Sequence, residues 1–194
     1  QRNQMKNIHF GDTKTLITHL TKKPLGEKYA IITDKKVHKL YATNLQKELK
    51  KAKITAEIFS FPAGEKNKTL QTIENLAEQM LAKNFDRHDA IIALGGGVPG
   101  DLAGFLASIY LRGIPFIQIP TTLLAMVDSA VGGKTGVDLE SGKNLLGTFN
   151  QPQAVFIDTS HLKTLPKTQL RSGLAEVIKY GVIKDKNLFE YLEK

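Results

Sequence analysis

The residues with the plainest chemical use lie in Gly95-Gly96-Gly97-Val98-Pro99-Gly100-Asp101. Glycine lets backbone approach a bulky ligand, and a helix starting there offers free N–H groups and a partial positive charge, which suit a phosphate or pyrophosphate. The same stretch also reads as an ordinary glycine-rich turn, because the G-x-G-x-x-G spacing of Gly95, Gly97 and Gly100 discriminates poorly without its surroundings. Downstream, Lys134 stands next to Gly132 and Gly133, and Lys143 with Asn144 forms a second donor group. Two ammonium groups and an amide suit a phosphorylated substrate, although lysines beside glycines are also common as solvated surface. Glu176 and Lys179 share one helical turn and read as a surface ion pair or as site residues. Asp34, Thr121 and Thr122 fall at strand ends, where they serve either as helix caps or as ligand contacts.

Such groups need elements that bring them to one place. Apolar runs and turn signals predict strands at Ile8 to Phe10, Tyr29 to Thr33, Ile54 to Phe59, from Ala90 into the glycines, Pro115 to Ile119 and Ala154 to Ile157. Helical periodicity predicts Thr13 to Leu20, a segment with Val37, Leu40, Leu45, Leu49 and Ala52 on one face, another marked by Leu70, Ile73, Ala77, Met80 and Leu81, and Leu102 to Tyr110. Strand and helix alternate, so the expected class is α/β: a Rossmann-like parallel sheet with helices on both faces. Ligands of such sheets bind outside the carboxyl ends of the strands, where Asp34, Pro62 to Lys68, Gly95 to Asp101 and Thr121 to Thr122 converge.

From Leu123 to Asp128 the pattern is helical, Gly132 to Val137 reads as a loop or small hairpin, and Lys143 and Asn144 fall in a second loop. A Walker A reading of Gly133-Lys134-Thr135 fails, because the glycine required five positions earlier is Asp128. An ordinary dinucleotide fingerprint is also incomplete, since the acid expected about 20 positions after the glycines falls near Pro120. Beyond Pro166 the chain turns helical, with Leu174, Val177, Ile178 and Val182 facing one way.

The 194 residues carry a net charge of +8 and no cysteine. The lysines are dispersed, and the densest group, Lys47, Lys50, Lys51 and Lys53, ends an amphipathic helix without interleaved aromatics, so no nucleic-acid partner is expected. Absence of cysteine removes disulfides and thiolate chemistry and fits a cytoplasmic protein. No apolar stretch approaches the roughly 18 residues of a membrane span, so no membrane partner is expected either. Met5 is read as the native start, with residues 1 to 4 as an addition.

Read in order, Pro62-x-Gly-Glu-x-x-Lys68, Gly95-Gly-Gly-Val-x-Gly-Asp101-Leu-x-Gly-Phe105, Arg112-Gly, Ile119-Pro-Thr-Thr-Leu-Leu, Val127-Asp-Ser, Val131-Gly-Gly-Lys-Thr, Gly142-Lys-Asn, Gln151-Pro, Leu162-Lys-Thr-Leu-Pro166 and Ser172-Gly-Leu-Ala-Glu-Val-Ile-Lys-Tyr180 resemble the 3-dehydroquinate synthase family of sugar-phosphate cyclases. The resemblance runs from about Asp34 onward. It departs at Pro99, where an aliphatic residue is commoner, and at Asp138, where asparagine is usual.

The resemblance implies an NAD-dependent metalloenzyme of the shikimate route, using zinc or cobalt, that converts 3-deoxy-D-arabino-heptulosonate 7-phosphate to 3-dehydroquinate and phosphate. It implies an NAD-binding domain over residues 1–160 and the beginning of a helical domain over 161–194, cut short here, with a homodimeric full-length enzyme. Carried over by motif, the cofactor contacts are Asp34, Ala63, Gly64, Glu65, Lys66, Asn67 and Lys68 near the adenosine ribose, with Gly96, Gly97, Val98, Pro99, Gly100 and Asp101 at the pyrophosphate. Thr121, Thr122, Leu124, Lys134, Lys143, His161, Leu162, Lys163 and Thr164 complete them. Asp128, Lys134, Asn144 and Lys179 are implied to meet substrate, and Glu176 to be a metal ligand whose companions lie outside this chain. The fragment is therefore expected to lack synthase activity. Neighbouring readings are another cyclase such as 2-deoxy-scyllo-inosose synthase, an iron- or glycerol-type polyol dehydrogenase, and a non-catalytic nucleotide-binding module.

Overall fold

The computed structural model describes residues 7–193, so the expectation for Met5 and the residues before it falls outside them. Six parallel strands form the central sheet: Ile8–Phe10 (β1), Lys28–Asp34 (β2), Thr55–Phe61 (β3), Ala90–Gly95 (β4), Phe116–Pro120 (β5) and Val155–Ile157 (β8), in the order β1-β8-β5-β4-β2-β3. Period-two alternation sends successive side chains to opposite faces. In β2, Tyr29 and Ile31 join the cluster under helices Thr13–Lys22 (α1) and Thr43–Lys51 (α3), while Ala30 and Ile32 join the cluster under Leu70–Ala82 (α4) and Gly97–Ile109 (α5). Both faces are covered, which is why these strands read as continuous apolar runs.

One helix departs from its expected pattern. Asp34 caps Lys35–Val37 (α2) by accepting from the Lys36 and Val37 amides at 2.8 and 2.9 Å, and α2 passes through a π turn, His38–Ala42, into α3. The extra residue of a π turn rotates the succeeding helical turns about the axis. Ala42, Leu45 and Leu49 therefore face the core, whereas Leu40, expected on that face, is 47% exposed. In α4, Ile73, Leu76 and Met80 are buried, but Leu81 is exposed.

The expected loops between Gly132 and Asn150 are an antiparallel hairpin, Lys134–Leu139 (β6) and Gly142–Phe149 (β7), so Lys143 and Asn144 belong to a strand. The hairpin docks on α5. A Cβ on Gly104 would sit 2.5 Å from Thr135 Cγ2, the Gly104 carbonyl accepts from Asn150 Nδ2 at 2.9 Å, and Thr148 Oγ1 bonds Ser108 Oγ at 2.9 Å. After β8 a 3-10 segment, Thr159–Thr164, leads to Lys167–Lys184 (α6) and Lys186–Leu192 (α7). Leu174, Ile178 and Val182 of α6, read as facing one way, are exposed among the described residues. No described helix is long and apolar enough to cross a membrane.

Candidate functional site

The strand ends open on a cavity of about 350 Å³ lined by Asp34, Ala63 to Glu65, Gly96 to Pro99, Thr121, Thr122, Leu124 and Thr164. This is the rim expected from the sequence. It lies where chain connections leave β2 and β4 in opposite directions, the usual ligand crevice of an open α/β sheet. The helix α5 begins at Gly97 with Gly96 in the cap position and no side chain bonded to its first amides. Free N–H groups therefore point at the cavity. Gly64 has φ +110° with nothing within 4 Å of its Cβ position, and a Cβ on Gly97 would meet only Ser129 Oγ, at 3.6 Å. The backbone is thus open to close approach on two sides of the cavity.

Capping and lining coexist here. Asp34 spends Oδ1 on its cap and keeps Oδ2 free, and Thr122 Oγ1 accepts from the Ala125 amide at 3.2 Å. Glu65 meets Lys143 at 3.2 Å, which ties the hairpin to the rim. Lys66, Asn67, Lys68, Gly100 and Asp101 do not line the cavity. Lys68 is 4% exposed and pairs with Asp101 at 2.5 Å, and its ammonium donates to Asn144 Oδ1. Burial pushes the Asp101 carboxyl up, and Lys68 opposes that shift.

A second polar group forms where α6 crosses the π turn Ala125–Ser129. A Cβ on Gly173 would come within 2.6 Å of Leu123 Cβ, so glycine is what lets α6 approach. That contact brings Asp128 near Tyr180, whose hydroxyl donates to Asp128 Oδ1 at 3.4 Å, and beside the Glu176–Lys179 ion pair. The Lys179 ammonium holds Glu176 below the usual carboxylate range. Lys134 opens β6 opposite Phe149, at the other end of the hairpin from Asn144, so these two expected substrate residues are not adjacent.

The model of the 3-dehydroquinate synthase N-terminal family matches residues 58–172, more than half of the sequence. The chain belongs to this family. The 3-dehydroquinate synthase of Desulforamulus reducens is 52% identical over 91% of this chain and 49% of its own length. A 2-deoxy-scyllo-inosose synthase crystallised with carbaglucose-6-phosphate, NAD+ and Co2+ superposes with a TM-score of 0.84 at 35% identity, covering 91% of this chain and 49% of that one. The 2-epi-5-epi-valiolone synthase of Streptomyces hygroscopicus subsp. jinggangensis 5008, with NAD+ and Zn2+ bound, gives 0.87 at 34% identity over 96% and 52%. The chain spans about half the length of the curated relatives it matches.

Within this family member the departure at Asp138 has a local role, because its Oδ1 accepts from the Asn144 amide at 2.8 Å, which an asparagine oxygen could equally do. Pro99 packs so closely on the turn that a Cβ on Gly95 would meet its Cγ at 2.5 Å. Among the lining residues that sequence reasoning missed are Lys36, Leu40 and Tyr41, in and before the π turn, and Gln169 and Ser172, which line the cavity from α6. The signal for the last two was their helical spacing ahead of Glu176.

His161, Leu162 and Lys163 stay outside the main cavity. The His161 ring lies 4.5 Å from that of Tyr41 and lines a smaller cavity of about 190 Å³ on its far side, while Leu162 packs against Met126, Ala130, Val155 and Ile157. Burial lowers the His161 pKa below 6.5, against the raising effects of Asp158 and the Pro120 carbonyl. A depressed imidazole pKa means that the unfolded chain binds the proton first as pH falls through 6.5. Stability is then lost downward from that pH toward the folded value. His19, lowered by burial and by His9 and Lys23, acts in the same direction. The urea midpoint should be lower at about pH 5.5 than at about pH 7.5, and His161→Phe should shrink the difference. An unchanged difference would remove His161 from this account.

Proposed function

We propose that this chain is the nucleotide-binding part of a 3-dehydroquinate synthase, with NAD seated along the strand-end cavity. The observation that carries the reading is the uncapped N-terminus of α5 at Gly96 and Gly97, open to that cavity. Its amides would bind the pyrophosphate, and the free oxygen of Asp34 with Glu65 would accept from ribose hydroxyls. Thr121, Thr122 and Leu124 would flank the other end. NAD, when bound, would supply a reversible acceptor for hydride leaving a hydroxyl-bearing carbon. Lys134, Lys143 and Asn144 would donate to substrate phosphate or carboxylate, and Asp128 with Lys179 would hold hydroxyls and balance the charge that develops on oxygen. Residues 1–160 would form the nucleotide-binding domain, and 161–194 would belong to a helical domain.

A divalent ion is part of the family reading, but the residues here do not make its site. Among the described residues no three of His, Cys, Asp or Glu gather to hold an ion, and Glu176 is already engaged by Lys179. No step is therefore assigned to a metal in this chain. The substrate would be the heptulosonate phosphate, in keeping with the 52% identity to a 3-dehydroquinate synthase against 35% to a 2-deoxy-scyllo-inosose synthase, and the whole enzyme would be a homodimer.

Calorimetric titration with NAD+ should give one site with a Kd below about 1 mM, equivalent to more than about 4 kcal/mol. No heat at that concentration would reject the reading. The same chain with NAD+, Zn2+ and 3-deoxy-D-arabino-heptulosonate 7-phosphate should release no phosphate, because the described residues hold no complete donor set for the ion. Steady turnover would overturn that.

A further inference from the structure

Lys68 follows the turn that lines the cavity, yet its own side chain is directed into the protein. An ammonium carries three donors and no acceptor. One donor goes to Asp101 Oδ2, on the helix whose N-terminus faces the cavity, and another to Asn144 in β7. Because the ammonium cannot accept, the Asn144 atom that faces it must be the carbonyl oxygen, and the orientation of the amide is settled. The Asn144 backbone is fixed as well. Its φ is +57°, a left-handed conformation that asparagine tolerates, and its N–H donates to Asp138 Oδ1. The Asp138 N–H in turn donates to the Lys68 carbonyl at 2.8 Å, which closes a ring of three contacts between turn and hairpin. Asn144 itself is exposed, so its two Nδ2 protons remain open to a ligand.

We propose that Lys68 is a positioning residue, whose buried ammonium holds Asn144 with only its Nδ2 donors outward, so that this position selects a hydrogen-bond acceptor such as a carboxylate or phosphate oxygen. The inference rests on the reading above that Asn144 meets substrate. Asp101 serves as the counter-charge that makes burial of the ammonium tolerable, since a buried unpaired charge is strongly disfavoured.

The test uses nitrogen relaxation of the Asn144 side-chain amide, without nucleotide, in the full chain. The wild type should show a restrained Nδ2 group, and in Lys68→Met its order parameter should fall below about 0.6, the flexible range. An unchanged order parameter would overturn the proposal. If Lys68→Met does not fold, Asn144→Asp decides. The introduced carboxylate should titrate well below the ordinary value of about 3.9, since it accepts from Lys68, and titration at the ordinary value would overturn the proposal. The relaxation and titration readouts need no nucleotide, so a chain that failed to bind NAD+ would reject the functional reading and still decide this one.

Discussion

A chain carrying Gly97→Val should keep its fold and lose about 100-fold in NAD+ affinity, roughly 2.7 kcal/mol. Gly97 is the first residue of α5, and the only atom a Cβ there would meet is Ser129 Oγ at 3.6 Å, an ordinary van der Waals distance. Folding therefore has little to object to. The branched side chain would instead fill the space in front of the free amides, where a pyrophosphate must approach to bond them. Gly95→Val provides the contrast. That residue has φ +155° and its Cβ would stand 2.5 Å from Pro99 Cγ, so the substitution strains the turn itself and lowers both stability and binding. Calorimetry with thermal unfolding separates the two: Gly97→Val should lose affinity at nearly constant Tm, and Gly95→Val should lose both. Unchanged NAD+ binding by a folded Gly97→Val chain would move the pyrophosphate away from α5.

The rim of the site was legible in the sequence because its parts sit at strand ends, and the strands announce themselves. Ile31, Ile32, Ile91 and Ile92 are wholly buried on a doubly covered sheet, so the centre of each run is apolar without alternation. What the sequence hid was tertiary. The π turn at His38–Ala42 has no compositional mark, and it carried Leu40 from an expected core face to the cavity wall, where Tyr41 stands beside it. Lys68 follows Glu65 by three residues and looks like a companion donor at the rim, but its partners Asp101 and Asn144 are 33 and 76 positions downstream, a relation that periodicity cannot reveal. The hairpin was half-seen because its glycines argue for loops. Gly136 and Gly147 serve close strand approach instead: a Cβ on Gly147 would lie 2.0 Å from the Thr135 carbonyl. In α6 the apolar pattern was read correctly as a stripe, yet Ile178 and Val182 are exposed, because periodicity identifies a face without supplying its partner.

The largest effect on stability should come from Phe116→Ala. Phe116 is 1% exposed in the first position of β5, and its ring lies against Gly104, where a Cβ would be 3.1 Å from Cζ. The absence of a side chain at Gly104 lets the ring fill the space between sheet and α5, and the same open position receives Thr135 of the hairpin. Removing the ring leaves a cavity at the junction of three elements that cannot collapse without moving one of them, so the cost should be about 3–5 kcal/mol. Against a total stability of about 5–15 kcal/mol this is a large share. Phe149→Ala is the control: at 86% exposure the same chemical change should alter stability by less than about 0.5 kcal/mol. Urea unfolding at one pH measures both. The NAD+ affinity of Phe116→Ala, taken where the chain is still folded, carries the further expectation: because the ring supports the middle of α5 and the first amides lie two turns away, affinity should fall less than tenfold, about 1.4 kcal/mol. Loss of binding as complete as in Gly97→Val would mean that the packing under α5, and not the open backbone at its start, determines how the cavity holds a nucleotide.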